Sequence, residues 1–239
     1  MSAMNSLKSA VRKISPAWLR RWRTRYVLAQ QRREFAAMPV QEAFRRVYAE
    51  GHWGSGLSSG GGSDPACQAP YIQFVRDFIH EHAIETVVDL GCGDFRIGSQ
   101  IAPGVRYYGL DIVPEVIERN RKLHGSASVS FQAANILEDE LPAGDLCLVR
   151  QVFQHLSNAE IRIALERLRQ YRFALISEHI PTVDFIPNID TPHGPHTRLY
   201  ENSGVVLDKA PFLWPCRVVL ETAMDDGLLL RTYLISTDE

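Results

Sequence analysis

Short apolar runs rich in β-branched residues recur along the chain, with an amphipathic stretch between two of them. Runs of this kind fit buried strands. The amphipathic stretch is predicted to be a helix that opens at Ser157 and Asn158 with Glu160 and continues to about Gln170. Strands are predicted at 86–88, 105–110, 128–133, 145–150 and 173–177.

Two further strand-like runs close the chain, Cys216–Glu221 and Leu228–Ile235. They are joined by Asp225-Asp226-Gly227, and an Asp-Gly turn between β-rich runs is the usual signal of a hairpin. A chain of 239 residues with 45% hydrophobic and 23% charged residues has room for one globular domain with an appendage.

Charge is distributed unevenly. Residues 1–50 hold 11 Lys and Arg against 3 Glu, while the remainder holds 15 against 25. Ser15-Pro16 predicts a helix start, and Trp18, Trp22 and Tyr26 follow at four-residue intervals among arginines. We expect residues 1–50 to be a basic amphipathic helical extension. Three roles are open for this extension: it packs on the rest of the chain, it contacts an anionic membrane surface through residues 15–35, or it serves nucleic-acid binding or targeting.

A glycine turn between two acidic residues carries the clearest chemistry. Asp89 ends the first strand-like run and precedes Gly91-Cys92-Gly93, and Asp111 closes the next run, 20 residues after Gly91. A glycine turn with an acid at about that distance holds the ribose of an adenosine cofactor in parallel α/β domains. A dinucleotide fingerprint is disfavoured because Arg96 stands where its third glycine is required.

Asp-x-Gly-x-Gly together with Asp111 resembles the first two motifs of class I S-adenosylmethionine-dependent methyltransferases. The resemblance covers roughly residues 70–236 and implies a doubly wound, mostly parallel seven-stranded sheet with an antiparallel final hairpin. It implies S-adenosylmethionine as cofactor. The residues that the resemblance assigns to cofactor binding are Asp89, Gly91, Cys92, Gly93, Asp111, Ile112, Asn135, Ile136, Arg150 and Gln151. Residues 69–239 are then the methyltransferase domain.

Residues 51–68, rich in glycine and serine, are predicted to be a flexible linker or a mobile lid that covers the cofactor with Trp53. In the family, the acceptor pocket uses the end of strand four, the region after strand five and N-terminal additions. An oxygen acceptor needs a base, and a histidine with a pKa near ~6.5 suits that role. We expect His155, then His179, to be catalytic, although histidines after strands are often structural. Candidates for acceptor contact are Trp53, His193, His196 and Arg198.

No metal is expected. Some ubiquinone-pathway relatives bind a divalent cation through Glu-x-x-Glu-His, and the matching positions here are Gln151, Gln154 and His155. Amides lack the anionic oxygens that a hard cation prefers. Four cysteines without C-x-x-C spacing favour reduced thiols and a cytoplasmic protein.

The function expected is methyl transfer to a small molecule or a saccharide or lipid intermediate, at oxygen, by in-line displacement. Two alternatives stay open: a non-catalytic S-adenosylmethionine-binding protein that docks through its basic helix, and an RNA methyltransferase. A peripheral membrane contact through residues 15–35 is compatible with the cytoplasmic location. Nucleic acid is the less favoured partner, and DNA is disfavoured because Arg150-Gln-Val-Phe153 stands where an Asn-Pro-Pro-Tyr type of motif would follow strand four.

Overall fold

The computed structural model describes residues 17–60, 68–224 and 227–237, and for residues 17–24 it describes the backbone alone. The predicted helix start at Ser15-Pro16 and the side chains of Trp18 and Trp22 therefore lie outside the described residues. The first two helices of the described residues are α1 (Ala17–Ala36) and α2 (Val40–Ala49). No helix in the described ranges is long and apolar enough to cross a membrane.

Seven strands form one sheet in the order β3-β2-β1-β4-β5-β7-β6. Neighbours pair in parallel from β3 through to β5, whereas β7 pairs antiparallel with both β5 and β6. The strands are β1 (Thr86–Leu90), β2 (Arg106–Asp111), β3 (Val129–Ala133), β4 (Leu146–Arg150), β5 (Phe173–Pro181), β6 (Arg217–Ala223) and β7 (Leu228–Ser236). This order and the final hairpin confirm the predicted fold.

Alternating side chains of the strands bury both faces of the sheet. In β1, Val88 packs into one apolar cluster and Val87 into the other. The helices that cover these faces are α3 (Ala69–Glu81), α4 (Gly98–Ile101), α5 (Pro114–His124) and α6 (Asn158–Leu168). Helix α6 begins with the predicted capping box, in which Ser157 and Glu160 satisfy each other's backbone N–H groups.

Helices α1 and α2 pack against this core. Phe35 at the end of α1 is 1% exposed, and α2 buries one face through Ala43, Phe44, Val47 and Tyr48. A long segment between β5 and β6, with a 3₁₀ turn at Arg198–Glu201, faces them. The two helices and this segment form walls around the carboxyl ends of the central strands.

The strand order reverses between β1 and β4. The chain passes from β1 to β2 towards one edge of the sheet and from β4 to β5 towards the other edge. This divergence opens a crevice at the carboxyl ends of these strands. Strand β5 runs to Pro181, four residues beyond the predicted end at Ser177, because β7 pairs with it along its whole length. Glu178 and His179 consequently lie within a strand rather than after it.

Candidate active site

A cavity of about 600 Å³ lies at the carboxyl ends of β1, β2 and β4. This is the location where open α/β sheets bind ligands, and the volume is typical of small-molecule sites. All ten residues predicted to contact the cofactor line the cavity, and so do the predicted Trp53, His155, His179 and His196. The residues predicted from the sequence therefore lie together in the fold.

The glycine turn forms the floor of the cavity. Gly91 and Gly93 have φ values of 79° and 53°, in the left-handed region that favours glycine. The N–H groups of Gly91 and Cys92 both donate to the carbonyl of Leu110, at 2.8 and 2.9 Å, and this fastens the turn to β2. A Cβ on Gly91 would lie 2.4 Å from Cγ2 of Val152. Only glycine fits this approach between the turn and the segment after β4.

Asp111 stands at the end of β2, directly beside the turn. Its two carboxylate oxygens accept the N–H groups of Gly93, at 3.1 Å, and of Val113, at 3.0 Å. These bonds hold the carboxylate plane in place and leave lone pairs for a ligand. Burial raises the pKa of Asp111 to about 6, against the lowering effect of the backbone N–H groups.

Asp89 provides a second buried carboxylate at the end of β1. The hydroxyl of Tyr107 donates to Oδ2 of Asp89, and the Arg150 guanidinium also favours its charged form. Burial is the larger effect and raises the pKa of Asp89 to about 6. Two carboxyls in one cavity suit a ligand that carries a positive charge and hydroxyl groups.

Glu178 shapes the segment that follows β4. This side chain has no exposed surface, and its carboxylate accepts the N–H groups of three successive residues, Val152, Phe153 and Gln154, at 2.8 to 3.1 Å. The preceding residue, Gln151, has a φ of 57°. Burial raises the pKa of Glu178 to about 8. Glu178 is therefore a support for the cavity wall, a function that the sequence pattern did not predict.

The two candidate bases are neutral histidines. Nδ1 of His155 donates to the carbonyl of Gly194 at 3.2 Å, which leaves Nε2 unprotonated, 3.3 Å from the amide nitrogen of Gln154. Burial lowers the pKa of His155 to about 3, and burial with the nearby Arg150 charge lowers the pKa of His179 to about 4. The expectation of a pKa near ~6.5 is corrected, because both rings are removed from water.

Residues 51–60 lie over the glycine turn. The N–H of Ser59 donates to Asp94 at 3.0 Å, and the Ser59 hydroxyl accepts the Asp94 N–H at 2.8 Å. Arg96 donates to the carbonyl of Gly60 at 3.0 Å. The Trp53 ring lies 4.7 Å from the ring of His155, and it also contacts Tyr48. This geometry is that of a cover over the cavity, which favours the lid interpretation of this segment.

Two predicted acceptor contacts are corrected. Arg198 is 1% exposed and is not among the described residues that line the cavity; it donates to the carbonyls of Ile189, Phe153 and Leu156. His193, likewise outside that lining set, bonds Glu160 at 2.7 Å and the carbonyl of Met38 at 3.1 Å. Both side chains tie the β5–β6 segment to its neighbours.

Asn135 lines the cavity, but its side chain also serves its own turn. The side-chain oxygen accepts the N–H of Leu137 at 3.1 Å, and the amide donates to Glu138 at 2.8 Å. A contact to the adenine through its carbonyl stays a prediction. Sequence reasoning missed the aromatic walls of the cavity, which Phe44, Tyr48, Tyr71 and Tyr200 provide. The described residues contain no group of three or more His, Cys, Asp or Glu placed to hold a metal ion.

Comparisons with known proteins agree with this geometry. Residues 81–177 match a family model described as a methyltransferase domain. The comparison with curated proteins gave no match. The N-methyltransferase NodS from Bradyrhizobium japonicum WM9, in complex with S-adenosylhomocysteine, has a similar fold with a TM-score of 0.53 at 14% identity, over 70% of this chain and 85% of that one.

A second solved structure is the magnesium protoporphyrin IX methyltransferase from Synechocystis PCC 6803 with bound S-adenosylmethionine. Its TM-score is 0.52 at 13% identity, over 84% of this chain and 99% of that one. Human N-acetylserotonin methyltransferase in complex with S-adenosylmethionine gives 0.50 at 14% identity, over 83% and 60% of the two chains. At these identities the likeness concerns the fold.

The cavity fits the cofactor that this domain implies. The glycine turn leaves room where a Cβ would collide, and two buried carboxyls with free lone pairs face the same space. S-adenosylmethionine carries a sulfonium and ribose hydroxyls, for which such a donor and charge set is suited. Residues 81–177 carry a methyltransferase domain, and the chain has the fold of class I S-adenosylmethionine-dependent methyltransferases.

Proposed function

We propose that the chain methylates a small molecule at an oxygen atom within the covered cavity. The observation that carries this proposal is the arrangement of Trp53 and Ser59 over the carboxyl ends of the strands, which encloses the space beside the glycine turn. An enclosed space of about 600 Å³ accommodates the cofactor with a small acceptor, or with the end of a larger molecule such as a saccharide or lipid intermediate.

In this proposal the two carboxylates divide the cofactor between them. Asp111, oriented by two backbone N–H groups, accepts the ribose hydroxyls, and Ile112 lies beside it. Asp89 lies near the methionine portion, whose ammonium its negative charge attracts. The remaining contacts proposed are the turn Gly91-Cys92-Gly93 beneath the adenosyl group, Asn135 and Ile136 at the adenine, and Arg150 with Gln151 at the end of β4.

When bound, S-adenosylmethionine supplies an electrophilic methyl group on a positively charged sulfur. An acceptor oxygen that received this methyl group would lose its proton to Nε2 of His155 or His179. A pKa of about 3 or 4 is compatible with this role, because a hydroxyl that has just been alkylated is a far stronger acid than either imidazolium. Trp53 excludes water and favours alignment.

Titration of the full chain with S-adenosylmethionine and S-adenosylhomocysteine tests the cofactor contacts. Asp111→Ala should weaken binding by about 2–4 kcal/mol, since a charge-assisted contact to both hydroxyls is lost. Asp77→Asn is a matched control, because Asp77 is exposed on α3 and bonds only Gln73 among the described residues. Equal affinity of Asp111→Ala and the parent would refute the assignment.

The acceptor class is tested with radiolabelled cofactor and pooled small molecules containing hydroxyl, amine or carboxyl groups. Label that transfers to hydroxyl compounds, with turnover reduced in both His155→Ala and His179→Ala, supports the proposal. Transfer confined to amines contradicts oxygen specificity. Unchanged turnover in both variants contradicts the assignment of His155 and His179 as bases.

A further inference from the structure

A second groove lies beside the active-site cavity, on the side of α1. It has a volume of about 470 Å³ and is formed by one face of α1 against Pro192, Tyr200 and Glu201 of the β5–β6 segment. The α1 residues that line it recur at helical spacing: Arg25, Leu28, Ala29, Arg32, Arg33 and Ala36. Small side chains at two of these positions make room, and three arginines surround it.

Positive charge dominates this groove. Glu201 is the only acidic residue among its described lining residues, and it pairs with Nη1 of Arg32 at 2.9 Å. Nε and Nη2 of Arg32 are buried and have no hydrogen-bond acceptor within the described part of the chain. Buried donors without an acceptor are rare in native proteins. A planar guanidinium with two unused N–H edges is suited to a carboxylate or phosphate oxygen.

The groove and the active-site cavity share a wall. Tyr200 lines both spaces. Its ring contacts the ring of His196, which lines the active-site cavity and bonds Gln31 of α1 at 3.0 Å. The groove with its arginines therefore adjoins the active-site cavity across the side chain of Tyr200.

We infer that this groove is an oxyanion subsite for the methyl acceptor, in which Arg32 and Arg33 bind a phosphate-type or carboxylate group that the acceptor carries away from the methylated atom. The inference rests on the proposed function, because it extends the substrate of that same cavity. It assigns the basic face of α1 to substrate selection.

Calorimetric titration of the full chain with inorganic phosphate tests the subsite directly. The parent should bind phosphate, and Arg32→Gln and Arg33→Gln should each weaken this binding about tenfold, the effect expected for one charged hydrogen bond. The Arg33 side chain has no ion pair within the described residues, so its replacement breaks none there. Lys122→Gln is the matched control, since it removes one exposed charge on α5.

Glu201→Gln gives a test of opposite sign. It removes the one negative charge among the described residues of the groove and frees Nη1 of Arg32, so phosphate should bind more tightly than in the parent. A general disturbance of α1 would weaken binding in this variant as well. Absent binding by the parent, equal binding by the parent and both arginine variants, or weaker binding by Glu201→Gln would each overturn the inference.

Two additional measurements are needed. The first distinguishes a lipid headgroup from a soluble acceptor as the source of the anion, and the second distinguishes a failure of the anion subsite from a failure of the proposed function. Flotation with vesicles of phosphatidylcholine, with and without phosphatidylglycerol, identifies a lipid headgroup as the anion if phosphate displaces bound protein. Phosphate binding without vesicle binding assigns the anion to a soluble acceptor. Titration of the parent and the same variants with S-adenosylmethionine reports on the cofactor contacts alone. If the parent does not bind S-adenosylmethionine, the proposed function is refuted, whereas the anion subsite is not.

Discussion

Affinity for S-adenosylmethionine should rise with pH between about 5 and 7. Burial raises the pKa of both Asp89 and Asp111 to about 6 in the ligand-free protein. A cationic ligand with ribose hydroxyls favours the ionised carboxylates, so binding lowers both pKa values and releases protons. At about pH 5 each carboxyl is roughly nine-tenths protonated, and each then reduces the affinity about tenfold relative to the fully ionised form. The two together give a decrease of about a hundredfold.

A pH-dependent change in stability caused by these two carboxyls would not produce the same loss of affinity at low pH. Their folded-state pKa values lie above the ordinary value of 3.8, so their contribution to stability is fully present below about pH 4 and is lost as the pH rises through about 6. Protonation of both carboxyls at pH 5 therefore stabilises the ligand-free fold. The amino group of the ligand titrates at about 7.7–8, above the window.

Calorimetry at several pH values, in two buffers with different ionisation enthalpies, measures both the affinity and the number of protons released. About two protons should be released per ligand at pH 5. Asp111→Asn removes one group and should halve the pH dependence, whereas Asp77→Asn should leave it unchanged. An affinity that is flat or falls with pH would refute the reasoning that these carboxyls bind the cofactor in ionised form.

Three further outcomes are expected. Gly91→Ala should weaken cofactor binding at least tenfold by titration, because a positive φ and a steric collision coincide there, at a cost of about 1–2 kcal/mol for the φ alone. Glu178→Gln should lower the free energy of unfolding in urea by about 1–3 kcal/mol, because a buried N–H group loses its acceptor, against less than about 1 kcal/mol for the exposed Glu221→Gln. Trp53→Ala should lower kcat more than cofactor affinity, since its ring covers His155; equal losses would contradict this.

Features set by neighbouring residues could be predicted from the sequence. The glycine turn, the acids at the ends of β1 and β2 and the capping box at Ser157 each depend on a few consecutive positions, and all of them stand where the pattern placed them. Strand β5 was predicted too short, because its end is set by pairing with β7 rather than by its own composition.

Long-range contacts account for what the sequence could not supply. Arg198 was predicted to contact the acceptor because it lies in the region after strand five, yet it is buried and donates to four oxygens, those of Ile189, Phe153, Leu156 and the Asn158 side chain. Burial lowers the pKa of His155 against the raising effect of the Gly194 carbonyl, and both Gly194 and Trp53, whose ring packs on His155, are remote along the chain. Neither contact leaves a local signal in the sequence.

The position of Gly194 links parts of the chain that sequence comparison treats separately. Its carbonyl determines which ring nitrogen of His155 carries the proton, and a Cβ there would come within 3.1 Å of Phe35 at the end of α1. The methyltransferase match, 81–177, contains the cofactor floor and His155 but neither Gly194 nor Phe35. In the proposed function the acceptor side of the cavity is therefore built largely outside the matched region, and its transfer to a relative requires α1, residues 40–60 and the β5–β6 segment to be exchanged together.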